Sequence, residues 1–171
     1  MARLTAADFH WDQSDWVTHL TVNGWKYFTY VWDSDVEVGP NQSTGTGQLL
    51  FFSEGRGDEA LTVLELSLVQ WFVDHAEAVT DAVLDAIFND YPMIQEDARE
   101  FAGAGAVPDV SSPRELGRLL SVPSVTIHDV QVEGVPYIGF YMDCPWDLEH
   151  GVGVKTHGVR VVEVGDGDVA G

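Results

Sequence analysis

The densest run of reactive side chains in this sequence is Cys144-Pro145-Trp146-Asp147-Leu148-Glu149-His150-Gly151-Val152-Gly153-Val154. It places a thiol, two carboxylates and an imidazole within seven residues, beside two glycines. Three chemistries compete for it. In the first, the cluster is structural. Trp146 plugs the core, Asp147 and Glu149 accept backbone N–H groups at a strand crossing or bulge, and His150 partners one carboxylate. Gly151 and Gly153 permit a sharp bend. In the second, Trp146 and a carboxylate–histidine pair at a strand end form a binding hot spot, for which Trp is a favoured residue. In the third, the segment is catalytic or binds metal. A Glu–His pair supplies a general base and its orienter, or the closeness of Asp147 and Glu149 raises one carboxyl pKa.

Spacing argues against the third. Glu149 and His150 are neighbours, so on a strand they point to opposite faces. The metal-binding His-Glu-x-x-His pattern is absent. Cys144 as a nucleophile needs a base and an electropositive setting, which Pro145 and an acidic chain do not offer. No catalytic residue, metal ligand or cofactor is assigned on this basis. Gly45-Thr46-Gly47 and Gly55-Arg56-Gly57 read as turns, since neither carries a phosphate-loop pattern. His10-Trp11-Asp12 and Asp15-Trp16 fit a strand edge, or a patch facing a partner.

Charge is the strongest compositional signal. Acidic residues number 28 against 8 basic ones, a formal −20. Such a surface repels nucleic acid and anionic membranes and steers basic partners inward. It also suits a GC-rich or salt-adapted source, in which acidity aids solubility. Part of the charge has a pattern. Asp74, Glu77, Asp81 and Asp85 follow one another at helical spacing and would form one ridge. That ridge is either a solvated face or a surface kept for a basic partner. Cys144 is the single cysteine, so no internal disulfide is possible, which agrees with a reducing, cytoplasmic setting. No apolar run reaches the roughly 18–20 residues of a membrane span.

The elements that must position these residues follow from periodicity. Val17–Thr21 and Trp25–Tyr30 flank Asn23-Gly24, a hairpin signal. Val36–Gly47 reads as a loop, Gln48–Phe52 as a strand and Ser53–Asp58 as a turn; Leu61–Leu66 reads as a strand or the start of a helix, with the strand favoured. Val69, Phe72, Val73, Ala76, Val79, Val83, Ala86 and Ile87 make one apolar helical stripe within Ser67–Asp90, with a possible break near His75. Tyr91-Pro92 marks its stop, and Ile94–Phe101 adds a short helix. Ser112-Pro113 caps another before Arg114–Leu120. Strands follow at Ser124–Val132 and Val135–Met142 around Glu133-Gly134. Val152–Lys155 and Val159–Val164 form a last hairpin. One domain over residues 1–171 is expected. Its class is α+β: a largely antiparallel sheet with a central helical segment packed on it.

The string W-D-x-E-H-G-x-G-V, formed by Trp146, Asp147, Glu149, His150, Gly151 and Gly153, resembles the end of an uncharacterised bacterial domain family. The resemblance is tightest over Tyr137–Ala170 and looser over Leu66–Tyr91. It implies a fold more than an activity. The leading functional expectation is a small acidic interaction protein, such as an immunity protein that blocks the cationic cleft of a basic toxin. The alternatives are an enzyme or metal site on Asp147, Glu149 and His150, or a motif that only holds the fold.

Overall fold

Alternating β-branched and aromatic residues in the last third of the chain pair into one sheet that a single long helix covers. The computed structural model describes residues 3–30, 43–52, 57–101 and 105–171, with Glu100 and Phe101 described as backbone only. Seven strands are described: β1 (His10–Asp12), β2 (Asp15–Thr21), β3 (Thr46–Phe52), β4 (Ser124–Val132), β5 (Val135–Cys144), β6 (Asp147–His157) and β7 (Arg160–Gly165). They stand side by side in sequence order. Helices α1 (Val63–Phe101) and α2 (Pro113–Leu116) lie between β3 and β4 in the chain. That long crossover lets β3 and β4 run parallel, while every other neighbouring pair is antiparallel. The fold is α+β, as expected.

The core lies between α1 and one face of the sheet. Cross-strand rows Val125–Phe140–Val154 and Ile127–Ile138–Thr156 present that face, and all six residues are buried. Val69, Phe72, Val73, Ala76, Val79, Val83 and Ile87 of the expected stripe are buried against it; Ala86 is half-buried. The helix does not break at His75, whose ring stacks on Trp71 one turn earlier at 4.1 Å.

Three local readings are corrected. The favoured strand over Leu61–Leu66 does not form; the alternative holds, with α1 starting at Val63. Thr62 Oγ1 accepts from the Glu65 amide at 3.3 Å, and Glu65 Oε2 accepts from the Thr62 amide at 2.5 Å, a reciprocal cap. Leu61 and Leu66, on either side of that cap, both join the core.

The helix also continues through Pro92 rather than stopping at Tyr91. Contacts on both sides outweigh the missing amide donor. Tyr91 is buried and its hydroxyl donates to the Pro108 carbonyl at 2.9 Å, while Ile94 and Ala98 pack on the core. Gln95 Nε2 donates to the Val107 and Pro108 carbonyls, both at 3.1 Å.

Finally, Asn23-Gly24 does not turn a hairpin. Residues Asn23–Tyr27 form a 3-10 helix. Val22, Trp25 and Phe28 recur every third residue, the period of that helix, and all three are buried. The hairpin at this end instead joins β1 to β2 across Gln13-Ser14, with Gln13 at φ 57°.

Most remaining elements match, but β6 runs from Asp147 to His157 rather than over Val152–Lys155 alone, and the helix expected over Arg114–Leu120 is α2 followed by a 3-10 turn, Gly117–Leu119. Ser112 Oγ accepts from the Glu115 amide at 3.2 Å, with Pro113 opening α2. Glu133 and Gly134 both take positive φ, 55° and 78°, in the β4–β5 turn. Of the loop expected over Val36–Gly47, residues 36–42 lie outside the described residues, as do residues 53–56 of the Ser53–Asp58 turn, and Thr46 and Gly47 belong to β3. None of the described helices is long and apolar enough to cross a membrane.

Candidate functional site

The C-terminal motif forms the hairpin between β5 and β6, where Cys144 pairs with Asp147 across Pro145-Trp146. Asp147 holds the turn. Its Oδ1 accepts from the His150 amide at 2.9 Å and from the Glu149 amide at 3.2 Å, and lies 3.3 Å from His150 Nδ1. Its Oδ2 has no partner among the described residues. These bonds satisfy backbone donors where the strand is too irregular for a ladder.

Glu149 and His150 are exposed, and no hydrogen bond joins them among the described residues. The carboxylate that meets His150 is Asp147. Trp146 is half-buried and meets Tyr91 edge to face at 5.6 Å. It packs on the core margin rather than plugging the interior.

The two glycines are needed for different reasons. Gly151 has φ 68°, and a Cβ there would come within 2.6 Å of the Met142 carbonyl. Gly153 is not a bend. It lets the C-terminal segment lie against the sheet, where a Cβ would stand 2.2 Å from the Asp166 carbonyl. Asp166 then caps a short 3-10 turn, Gly167–Ala170, through the Asp168 amide at 3.2 Å.

Cys144 is fully buried, and burial pushes its thiol pKa up to about 12. Thiolate chemistry is therefore closed to it near neutral pH. In the folded protein, iodoacetamide at about pH 8 should leave Cys144 unmodified, with labelling appearing only in denaturant. Mass spectrometry of both samples checks this; rapid native labelling would show the thiol to be accessible.

The same hairpin walls a groove of about 340 Å³. Its floor is apolar: Trp146, Val152 and Val164 from the sheet side, Met93, Ile94 and Ala98 from α1. Four aspartates line it, Asp90, Asp97, Asp147 and Asp166, and no basic side chain does so among the described residues. Arg99, the nearest cation in sequence on α1, pairs with Asp109 at 3.2 Å instead.

Asp90 and Asp97 flank the core stripe, which continues through Tyr91, Ile94 and Ala98; Asp90 is half-buried and Asp97 exposed. Residues 83, 87, 90, 94 and 97 advance by three or four and share one helix face. Val83 and Ile87 are buried and Ile94 packs on the core, while Asp90 and Asp97, at the edge of that face, line the groove. The expected helices Ser67–Asp90 and Ile94–Phe101 hold Asp90 and Asp97 separately; only one continuous helix through Pro92 gives them a common side.

The ridge Asp74, Glu77, Asp81 and Asp85 lies elsewhere. All four are exposed, on the side of α1 away from the buried stripe. Gln70 Nε2 donates to Asp74 Oδ1 at 2.9 Å. A second cleft, about 510 Å³, runs between Arg3–Thr5 and the first turns of α1, but Arg3 and Asp74 both line it, so its charge is mixed.

His128 is buried beside the C-terminal turn, with Nε2 unpartnered among the described residues. Burial, then the Lys155 charge, hold its pKa below the usual histidine range, opposed by the Ala170 backbone. The folded state thus binds this proton less well than the unfolded chain. Stability should fall as pH drops through about 6.5, and level off below the folded pKa. Urea titrations of the wild type and His128→Gln at about pH 7.5 and about pH 5.5 check it. The wild type should lose more stability than the variant on acidification; equal losses would contradict the assignment.

Comparison with family models matches residues 17–171 to a domain of unknown function, DUF6985. The chain belongs to this family. No curated protein and no solved structure matches it. Membership of DUF6985 thus extends over the whole sheet from β2 onward and over both helices, well beyond the C-terminal motif, and it brings no activity with it.

Proposed function

We propose that this domain is a non-catalytic interaction protein whose partner is a basic protein. The observation that carries the reading is the groove. Asp90 and Asp97 of α1 line it together with Asp147 and Asp166, beside the apolar side chains Trp146, Ile94, Val152 and Val164, with no basic side chain among the described residues. In this reading the ridge Asp74, Glu77, Asp81 and Asp85 steers a cationic surface during encounter, and the groove seats it.

The finer form is an immunity protein. Acidic side chains would stand in for phosphates and occupy the cationic cleft of a basic toxin. Titration calorimetry against a panel of cationic proteins, with an acidic control, tests the general reading. Binding should appear at about 50 mM salt and weaken strongly at about 500 mM, as screening shortens the range of the charges. Failure of every cationic protein to bind at low salt would remove it. Co-expression with a toxic basic protein encoded beside the domain tests the finer form: restored growth supports it, and unrestored growth removes it.

A second reading, an enzyme or metal site on Asp147, Glu149 and His150, rests on the 3.3 Å contact between Asp147 and His150. Metal analysis of the purified protein and the Glu149→Gln variant decide it. Absence of stoichiometric metal, with every phenotype intact in the variant, would retire that reading.

A further inference from the structure

We propose that the groove is the seat of an arginine side chain, carried on a segment of the basic partner that holds more than one cation. The inference rests on the basic-partner reading and names the ligand of its site. Three features select arginine. The floor of Trp146, Ile94, Val152 and Val164 can cover the aliphatic stem, which a long cationic side chain buries while its head stays polar. The half-buried Trp146 contributes indole surface to the groove, and a guanidinium stacks on such a ring. The carboxylates Asp147 and Asp166 each spend Oδ1 on backbone amides and keep Oδ2 without a partner among the described residues. Carboxylate oxygens beside an aromatic ring suit the planar fork of arginine better than the compact ammonium of lysine, which holds its water more tightly.

The geometry also sets the length of the ligand. Asp90 and Asp97 are seven residues apart on one helix face, about 10 Å along the axis. One guanidinium cannot reach both. A segment that anchors one arginine on Trp146 and places a second cation near either helix carboxylate satisfies the groove. Anionic ligands are excluded by the four carboxylates.

The test uses the whole protein and three dye-labelled peptides, Gly-Arg-Gly-Arg-Gly, its lysine counterpart and its citrulline counterpart, followed by anisotropy at about 20 mM salt. The arginine peptide should bind about five-fold tighter than the lysine peptide, the factor expected of one stacked cation. The citrulline peptide should show no saturable binding. The double variant Asp90→Asn/Asp97→Asn should bind the arginine peptide about ten-fold more weakly. Trp146→Leu should erase the preference for arginine over lysine. The ridge variant Asp81→Asn/Asp85→Asn should keep both affinity and preference within about two-fold. Circular dichroism confirms that each variant is folded.

If arginine and lysine peptides bind equally well, or the ridge variant weakens binding while the groove variant does not, the groove inference is overturned and the basic-partner reading stands. If neither cationic peptide binds, the groove inference fails. If the cationic protein panel also fails, the broader reading falls with it.

Discussion

Replacing Trp25 with alanine should cost about 3–5 kcal/mol, and lower Tm by roughly 6–20 °C in a chain of this length. Trp25 is fully buried, and its ring lies 6.5 Å from Phe72 at the centre of the helix–sheet interface. Its Nε1 donates to the buried Thr80 Oγ1 at 3.0 Å. Truncation therefore opens a large cavity and removes a buried hydrogen bond together. Trp146→Ala should cost less, about 1–2 kcal/mol, because that ring sits half-exposed at the core margin. Side-by-side urea unfolding checks both. Equal costs would place Trp146 in the core and remove it from the groove wall.

The second large effect is expected at Gly153. Its alanine variant should lose about 1–3 kcal/mol, the usual range for forcing a methyl into packed space. The Cβ would stand 2.2 Å from the Asp166 carbonyl and 3.2 Å from the Ala170 amide, so the C-terminal turn must lift off the sheet. Lifting it would also loosen the bond from Lys155 Nζ to the Gly171 carbonyl, 2.9 Å, and shift Asp166 at the groove margin. Limited proteolysis should cut the variant near its C-terminus sooner than the wild type. Unchanged stability and unchanged cleavage would show that the turn is not packed as described.

Much of this was legible in the sequence, and the failures share a cause. The C-terminal strands carry β-branched residues at period two and turn signals that no tertiary contact opposes, so their pairing follows from the residues. The helix stripe from Val69 to Ile87 is equally plain. Asn23-Gly24 misled because local hairpin preference lost to the burial of Trp25, whose partner Thr80 is 55 residues away. Pro92 misled because the rule against proline in helices holds only until contacts such as Tyr91 with Pro108 outweigh it. In the motif, one of three readings has Asp147 and Glu149 accept backbone amides at a strand crossing or bulge; in the structure Asp147 alone does so, within a turn. The other groove carboxylates, Asp90 and Asp97, fall on two separate expected helices, and only the continuation of α1 through Pro92 gives them a common side.

Amide chemical-shift mapping would locate the bound cation on the domain. The ¹⁵N-labelled domain is titrated at low salt with the arginine peptide. Saturable shifts should be confined to residues 90–98, 146–152 and 164–166, including the Trp146 indole. Shifts centred on residues 74–85, with the groove silent, would contradict the groove inference.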